Sequence, residues 1–210
     1  MSTAKGDAKM SDATADEGWL TREESSAPAE LRPFYARFRD LYSRSLWFQL
    51  TLAVEEFMTH PASSTPRKRL DLYDNFVSKF ASHISHLRLV ALAVIASKQI
   101  ADPPTAKSFL DGLAKKMETK REEEEAREEE KGDKQEAHVF ATMEAAHFGL
   151  ILGDVDGTKE AMEKCAGILD SFNTVERSVH ASFYRVCGDY YKVSGRRGRG
   201  EDPSSRGDAH

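Results

Sequence analysis

Between Ala137 and Val193 the apolar residues return at helix-face spacing three times over. No other feature of this chain so restricts its fold. Val139, Met143, Ala146, Leu150 and Ile151 make the first stripe, and Met162, Cys165, Ile168, Leu169 and Phe172 the second. Val175, Val179, Phe183, Val186, Tyr190 and Val193 make the third. Each stripe is the mark of an amphipathic helix, and each needs a surface to cover it. The first two meet at Gly153-Asp154, a turn too short for anything but antiparallel neighbours. Stacked helix pairs satisfy all three stripes at once.

The preceding half repeats the pattern. From Glu30 the spacing predicts a helix with Pro33 in its first turn, where a missing N–H is no loss. Phe34, Phe38 and Leu41 share one face, with Tyr42 beside them. A break near Ser43–Ser45 lets a second stripe, Leu46, Leu50, Val54 and Phe57, fold back on the first. Trp47, Phe48 and Leu52 widen that stripe, so this helix is expected to be covered on more than one side. His60-Pro61 closes the pair, because the residue before proline avoids helix. After a polar loop, Arg67, Lys68 and Arg69 cluster at a helix start. They read as a solvated edge or as a contact for phosphate or an acidic partner. Leu70, Tyr73, Phe76, Val77 and Phe80 form the next helix, and Ser82–His86 a turn. Leu87–Ile100 is apolar nearly all round, so it should lie between neighbours. Asp102 is placed to cap a helix that has Pro103 at its first position. That helix points Ala106, Phe109, Leu110, Leu113 and Met117 inward.

Three regions lack a core pattern. Residues 1–29 are small and polar around an isolated Trp19-Leu20 pair, and read as a disordered tail. Residues 118–132 are almost wholly charged; they read as a solvated helical extension or an insertion ended by Gly132, alternatively as an acidic site for a basic partner. Residues 195–210 read as a second disordered tail. Its Arg196-Arg197-Gly198-Arg199-Gly200 is a single short arginine-glycine tract, and its Arg206-Gly207-Asp208 a chance tripeptide. The helical-repeat region is thus 30–194, with about eight helices. A net charge of −5 over 210 residues gives no overall pull toward nucleic acid or an anionic membrane. No apolar run reaches signal-peptide or membrane-spanning length, so a soluble intracellular chain is expected.

Catalysis needs a nucleophile beside a base, paired carboxylates or a metal site. His83 and His86 are three apart, but no Cys or carboxylate completes a local zinc motif, and His-Glu-x-x-His is absent. His138 and His147 flank an apolar stripe and read as packing residues. Cys165 and Cys187 fall on helical patterns and read as buried reduced thiols. Pairing Cys187 with His180 fails on distance, since seven residues of helix span roughly 10 Å. The glycines at 195, 198 and 200 follow a helix rather than a strand, so they make no phosphate loop. The expectation is a non-enzyme without metal or cofactor.

One family carries these pieces in this order. Leu41-Tyr42, Leu46-Trp47, Gln49-Leu50-Thr51-Leu52, the run Leu72-Tyr73-Asp74-Asn75-Phe76-Val77-Ser78-Lys79-Phe80 and Ser178-Val179-His180-Ala181-Ser182-Phe183-Tyr184 resemble the N-terminal helices of the proteasome lid subunits called non-ATPase regulatory subunit 13. Asp102-Pro103 with Phe109-Leu110, Gly153-Asp154 with Thr158-Lys159-Glu160, and Tyr190-Tyr191 extend the likeness, from about Leu31 to Val193. The resemblance implies an all-α, right-handed solenoid of antiparallel helix pairs, followed in family members by a PCI domain. It implies a non-catalytic scaffold for lid assembly in ubiquitin-dependent degradation, found in cytoplasm and nucleus. Other lid subunits are the partners implied, with no nucleic acid, membrane or small-molecule substrate. The charged run near Arg121–Lys131 departs from the family as an insertion. Nothing here resembles the PCI portion, so the expectation is a form cut short before it. The alternative is a free-standing helical-repeat adaptor. Trp47, Phe57, Phe76, Phe80, Phe183, Tyr184, Tyr190 and Tyr191 are the candidate packing and interface residues.

Overall fold

The computed structural model describes residues 18–118 and 128–197. The chain divides into two compact units at Ala101–Asp102. Among the described residues the regular structure is helical throughout, with no strand. Among the described residues eight α-helices lie between Arg32 and Arg197, where the periodicity predicts about eight. A further helix covers 18–26.

The first unit holds α1 (18–26), α2 (Arg32–Ser43), α3 (Trp47–Thr59), α4 (Lys68–Asn75) and α5 (His86–Ser97). Pro33 sits in the first turn of α2, as expected. Ser45, at φ 54°, takes the left-handed turn that lets α3 double back. Arg37 of α2 reaches Glu56 of α3 at 2.8 Å and Tyr42 meets Trp47, so the two helices run antiparallel. His60 ends α3 in an extended conformation before Pro61. α5 begins with Ser85, whose hydroxyl accepts from the Arg88 N–H. Leu89, Val90, Leu92, Ala93, Val94 and Ala96 are buried and cover more than half of the circumference of α5, whereas Ala91 and Ile95 on the remaining face are half-buried.

Two boundaries differ from the sequence reading. Residues 18–26, expected as part of a disordered tail, form α1, with Leu20 fully buried and Trp19 edge-on to Tyr35 at 6.4 Å. The helix expected over Leu70–Phe80 stops at Asn75 and continues as the short 3-10 turns Val77–Lys79 and Ala81–His83. The Asn75 amide donates to the Asp71 carbonyl at 2.8 Å and the Ser78 hydroxyl to the Asp74 carbonyl at 2.7 Å. Such side-chain bonds compete with the helical ladder and loosen it.

The second unit holds α6 (Pro103–Met117), α7 (Glu128–Ile151), α8 (Val155–Leu169) and α9 (Arg177–Arg197). Asp102 caps α6 by accepting from the Thr105 N–H at 3.0 Å, with Pro103 first in the helix. Asp154 caps α8 through the Gly157 N–H at 3.0 Å. Gly153, at φ 83°, supplies the left-handed residue of the α7–α8 turn. Gly132 does not end a helix: α7 runs through it. Of the charged run, residues 119–127 lie outside the described residues, as do both chain ends at 1–17 and 198–210.

α7 is the axis of this unit. Its Gly149 faces Lys107 and its His138 the Ala114 carbonyl, so α6 runs antiparallel to it. Thr158 reaches the Ala146 carbonyl while Gln135 and Ile168 line one cavity, so α8 is antiparallel as well. A β-carbon at Gly149 would stand 3.3 Å from the Thr158 hydroxyl, which is why the smallest residue occupies the crossing. α9 is parallel to α7: Glu136 meets Glu176, Glu144 meets Ser182 and Arg185, and His147 faces Asp189. A parallel helix one pair further on, with an antiparallel helix between, is the relation of successive helical repeats.

Candidate interaction surfaces

Four of the eight singled-out residues lie together in the first unit. Phe57 is fully buried, with the rings of Phe34, Tyr35 and Phe38 at 5.6, 5.6 and 5.8 Å. Phe38 stacks on Phe76 at 5.8 Å, and Phe76 meets Phe80 at 5.3 Å. Trp47, half-buried, lies against Phe80 at 6.2 Å and flat on the His83 imidazole at 4.3 Å. Edge-on and offset rings at these distances are the favourable arrangements for aromatic pairs. Phe57, Phe76 and Phe80 are therefore core, and only Trp47 reaches the surface. Burial, with the carboxylates of Glu23 and Asp71 nearby, pushes the Tyr35 phenol well above its ordinary range. Burial does the same to Tyr73.

The other four lie on α9. Val179, Ser182 and Val186 are its buried face. Phe183 and Tyr190 are half-buried, whereas Tyr184 and Tyr191 are each 67% exposed. Tyr184 lies 5.9 Å from His180 and 5.5 Å from Phe183; Tyr191 lies 5.3 Å from Tyr190. The exposed rings stand seven residues apart, two turns of one helix face.

Two further apolar surfaces differ from the sequence expectation. Phe48 and Leu52, expected to be covered, are 63% and 40% exposed on α3, with the Arg88 guanidinium 5.6 Å from the Phe48 ring. Ile151, placed on an inward stripe, is 57% exposed beside Leu152 at the α7–α8 turn. Apolar periodicity cannot distinguish a face buried in its own unit from one left open, since both need the same residues.

Polar groups inside the units serve packing. The Glu144 carboxylate, nearly buried, accepts from the Ser182 hydroxyl and the Arg185 guanidinium, both at 2.6 Å. His138 has Nδ1 2.9 Å from the Ala114 carbonyl, so Nδ1 donates there in the neutral ring. Its Nε2 is buried without a partner at a cavity of about 140 Å³ lined also by Gln135, Glu118 and Lys164. A hydrogen bond and charge from Lys164 hold the Glu118 carboxyl below its usual range. Burial pushes the Cys165 thiol up to about 12 and raises the half-buried Cys187 thiol too. In the basic cluster Lys68 pairs with Glu23 at 2.8 Å, and Arg69 donates to the Ser63 hydroxyl and the His60 carbonyl. Among the described residues no group of three His, Cys, Asp or Glu could hold a metal ion. No described helix is long and apolar enough to cross a membrane.

Known sequences match the same stretch. The family profile described as PSD13 N-terminal repeats matches residues 34–198. The probable 26S proteasome regulatory subunit rpn9 of Schizosaccharomyces pombe is 32% identical over 175 residues, 83% of this chain and 42% of that protein. The 26S proteasome non-ATPase regulatory subunit 13 homolog B of Arabidopsis thaliana is 30% identical over 81% of this chain and 42% of its own length. The regulatory subunit RPN9 of Saccharomyces cerevisiae is 28% identical over 82% and 43%. The chain spans about two fifths of the length of these relatives.

Proposed function

The chain belongs to the family of the PSD13 N-terminal repeats, and from that membership we propose that it is the helical-repeat part of a proteasome lid scaffold. It acts by docking, without catalysis of its own, in lid assembly and so in ubiquitin-dependent degradation. The observation that carries the reading is the family match over 34–198, which takes in α3 to α9 and most of α2. Residues 30–194 are the working region, read as a right-handed succession of pairs. Its partners are other lid subunits, with no nucleic acid, membrane or small-molecule substrate, and its place is cytoplasm and nucleus. The relatives' names, as regulatory and non-ATPase subunits of the 26S proteasome, support this reading.

The test is a tagged pull-down of the 210-residue chain from its own cells, read by mass spectrometry. A fusion carrying the remaining segment of one longer relative is run beside it. Lid subunits recovered with the chain itself are the expected result. Their recovery only with the fusion would place docking outside these repeats. A defined partner unrelated to the proteasome would favour a free-standing adaptor.

A further inference from the structure

Seven prolines occur in the chain, and a single one follows a hydroxyl residue: Pro66, after Thr65. The run is Ser64-Thr65-Pro66-Arg67-Lys68. A kinase pocket without an acceptor for the N–H after the phosphorylated residue selects proline, since any other residue would leave that donor bare. A cation three residues on, here Lys68, suits an acidic group beside such a pocket. Thr65 is exposed, with φ −58° and ψ 152°, the extended shape a following proline favours, in the loop between the 3-10 turn Pro61–Ser64 and α4. Its hydroxyl is held only by donation to the Ala62 carbonyl at 3.1 Å.

We propose that Thr65 is a phosphorylation site for a proline-directed serine/threonine kinase, and that its phosphate draws Lys68 away from Glu23 and loosens α1. In the reaction the Thr65 oxygen attacks the terminal phosphorus of ATP in the kinase. The new O–P bond forms as the β–γ phosphoanhydride breaks; the hydroxyl proton passes to the kinase's base, and ADP leaves. The bond to the Ala62 carbonyl is lost with that proton. A charge of about −1.5 to −2 then stands beside three cations. Arg69 is engaged with Ser63 and His60. Arg67 is exposed and 3.5 Å from Asp71, a weak pair that exchanges freely. Lys68 is the cation whose loss matters, because its 2.8 Å pair with Glu23 ties α4 to α1. Both side chains are only 23% exposed, so Glu23 is left a partly buried, unpaired carboxylate. Other polar ties of α1 include Arg39 to Glu24 at 2.9 Å and to Thr21 at 3.1 Å, and a helix this short leans on each of its contacts.

The test uses the full chain, a cyclin-dependent kinase and ATP, with mass spectrometry to place the phosphate and hydrogen exchange to follow α1. One phosphate on Thr65 is expected, absent from Thr65→Ala. Exchange over 18–26 should quicken about two- to fivefold on phosphorylation while α3 is unchanged. Lys68→Ala without phosphate should reproduce that change. Failure of the folded chain to accept phosphate, or its appearance at another residue, would overturn the site. Phosphate on Thr65 with unaltered exchange over 18–26 would overturn the switch.

Discussion

Phe57 and Tyr184 look alike in the sequence, aromatic residues in amphipathic helices, but their surroundings separate them. Phe57 has no exposed surface and touches three rings. Phe57→Ala should lower unfolding free energy by about 3–5 kcal/mol in urea titrations, through lost burial and a cavity. Tyr184→Ala removes a mostly solvated ring and should stay within about 0.5 kcal/mol. Gln99 shows how a single polar residue fixes a loop. Its amide oxygen accepts from the Arg69 and Leu70 N–H groups, and its nitrogen donates to the Ser63 and Thr65 carbonyls. Gln99→Ala should cost about 1–3 kcal/mol and speed exchange at the Arg69 and Leu70 amides. Unchanged protection there would show that the clamp contributes nothing. Cys165 gives a pH dependence of definite sign. Burial raises its thiol from 9.0 to about 12, so the unfolded chain gives up that proton first. Its contribution to stability is complete below pH 9.0 and is lost as pH rises toward about 12. Cys165→Ala should flatten the fall of stability with pH over that window, whatever its effect at neutral pH.

At the scale of the helix, Gly132 decides between two descriptions of α7. Within a continuous helix, glycine costs about 0.5–1 kcal/mol relative to alanine, and the nearest atom to an added β-carbon is the Phe172 ring at a comfortable 3.8 Å. Gly132→Ala should therefore stabilise the chain by about that amount. Destabilisation would restore the reading of Gly132 as a helix end. Gly153→Ala should do the opposite by about 1 kcal/mol, since φ is 83° there. The two glycines mark what a sequence makes legible. Caps and stops were plain where the chemistry is local: Asp102 before Pro103, His60 before Pro61, Gly153-Asp154. Gly132 was not, because its flanks are charged and show no apolar face to carry the helix through. Nor was α1, whose fixed points are distant: Lys68 lies 45 residues beyond Glu23, and Tyr35 supplies the surface for Trp19. Where the expected helix stops, Asn75 and Ser78 bond to carbonyls, a competition with the helical ladder that periodicity does not register.

For the whole molecule, burial sorts the eight aromatic candidates more finely than spacing could. Phe57, Phe76 and Phe80 are spent on the interior of the first unit, while Tyr184 and Tyr191 are left 67% exposed on α9. A tyrosine is a large, stiff group with an apolar ring and a polar tip, and interfaces draw much of their binding energy from such residues. Two of them two turns apart form an anchor of the size one partner helix could cover. If the repeats dock through α9, Tyr184→Ser with Tyr191→Ser should reduce recovery of lid subunits by tenfold or more, since each lost anchor is worth on the order of 1–2 kcal/mol. Thermal unfolding should hardly move, because neither ring belongs to a core. Equal recovery with both serines would exclude this face. Phe48 and Leu52, the exposed pair on α3, would then be the next to replace. A lowered melting temperature would instead show the two rings to be structural, and the loss of partners would follow from unfolding.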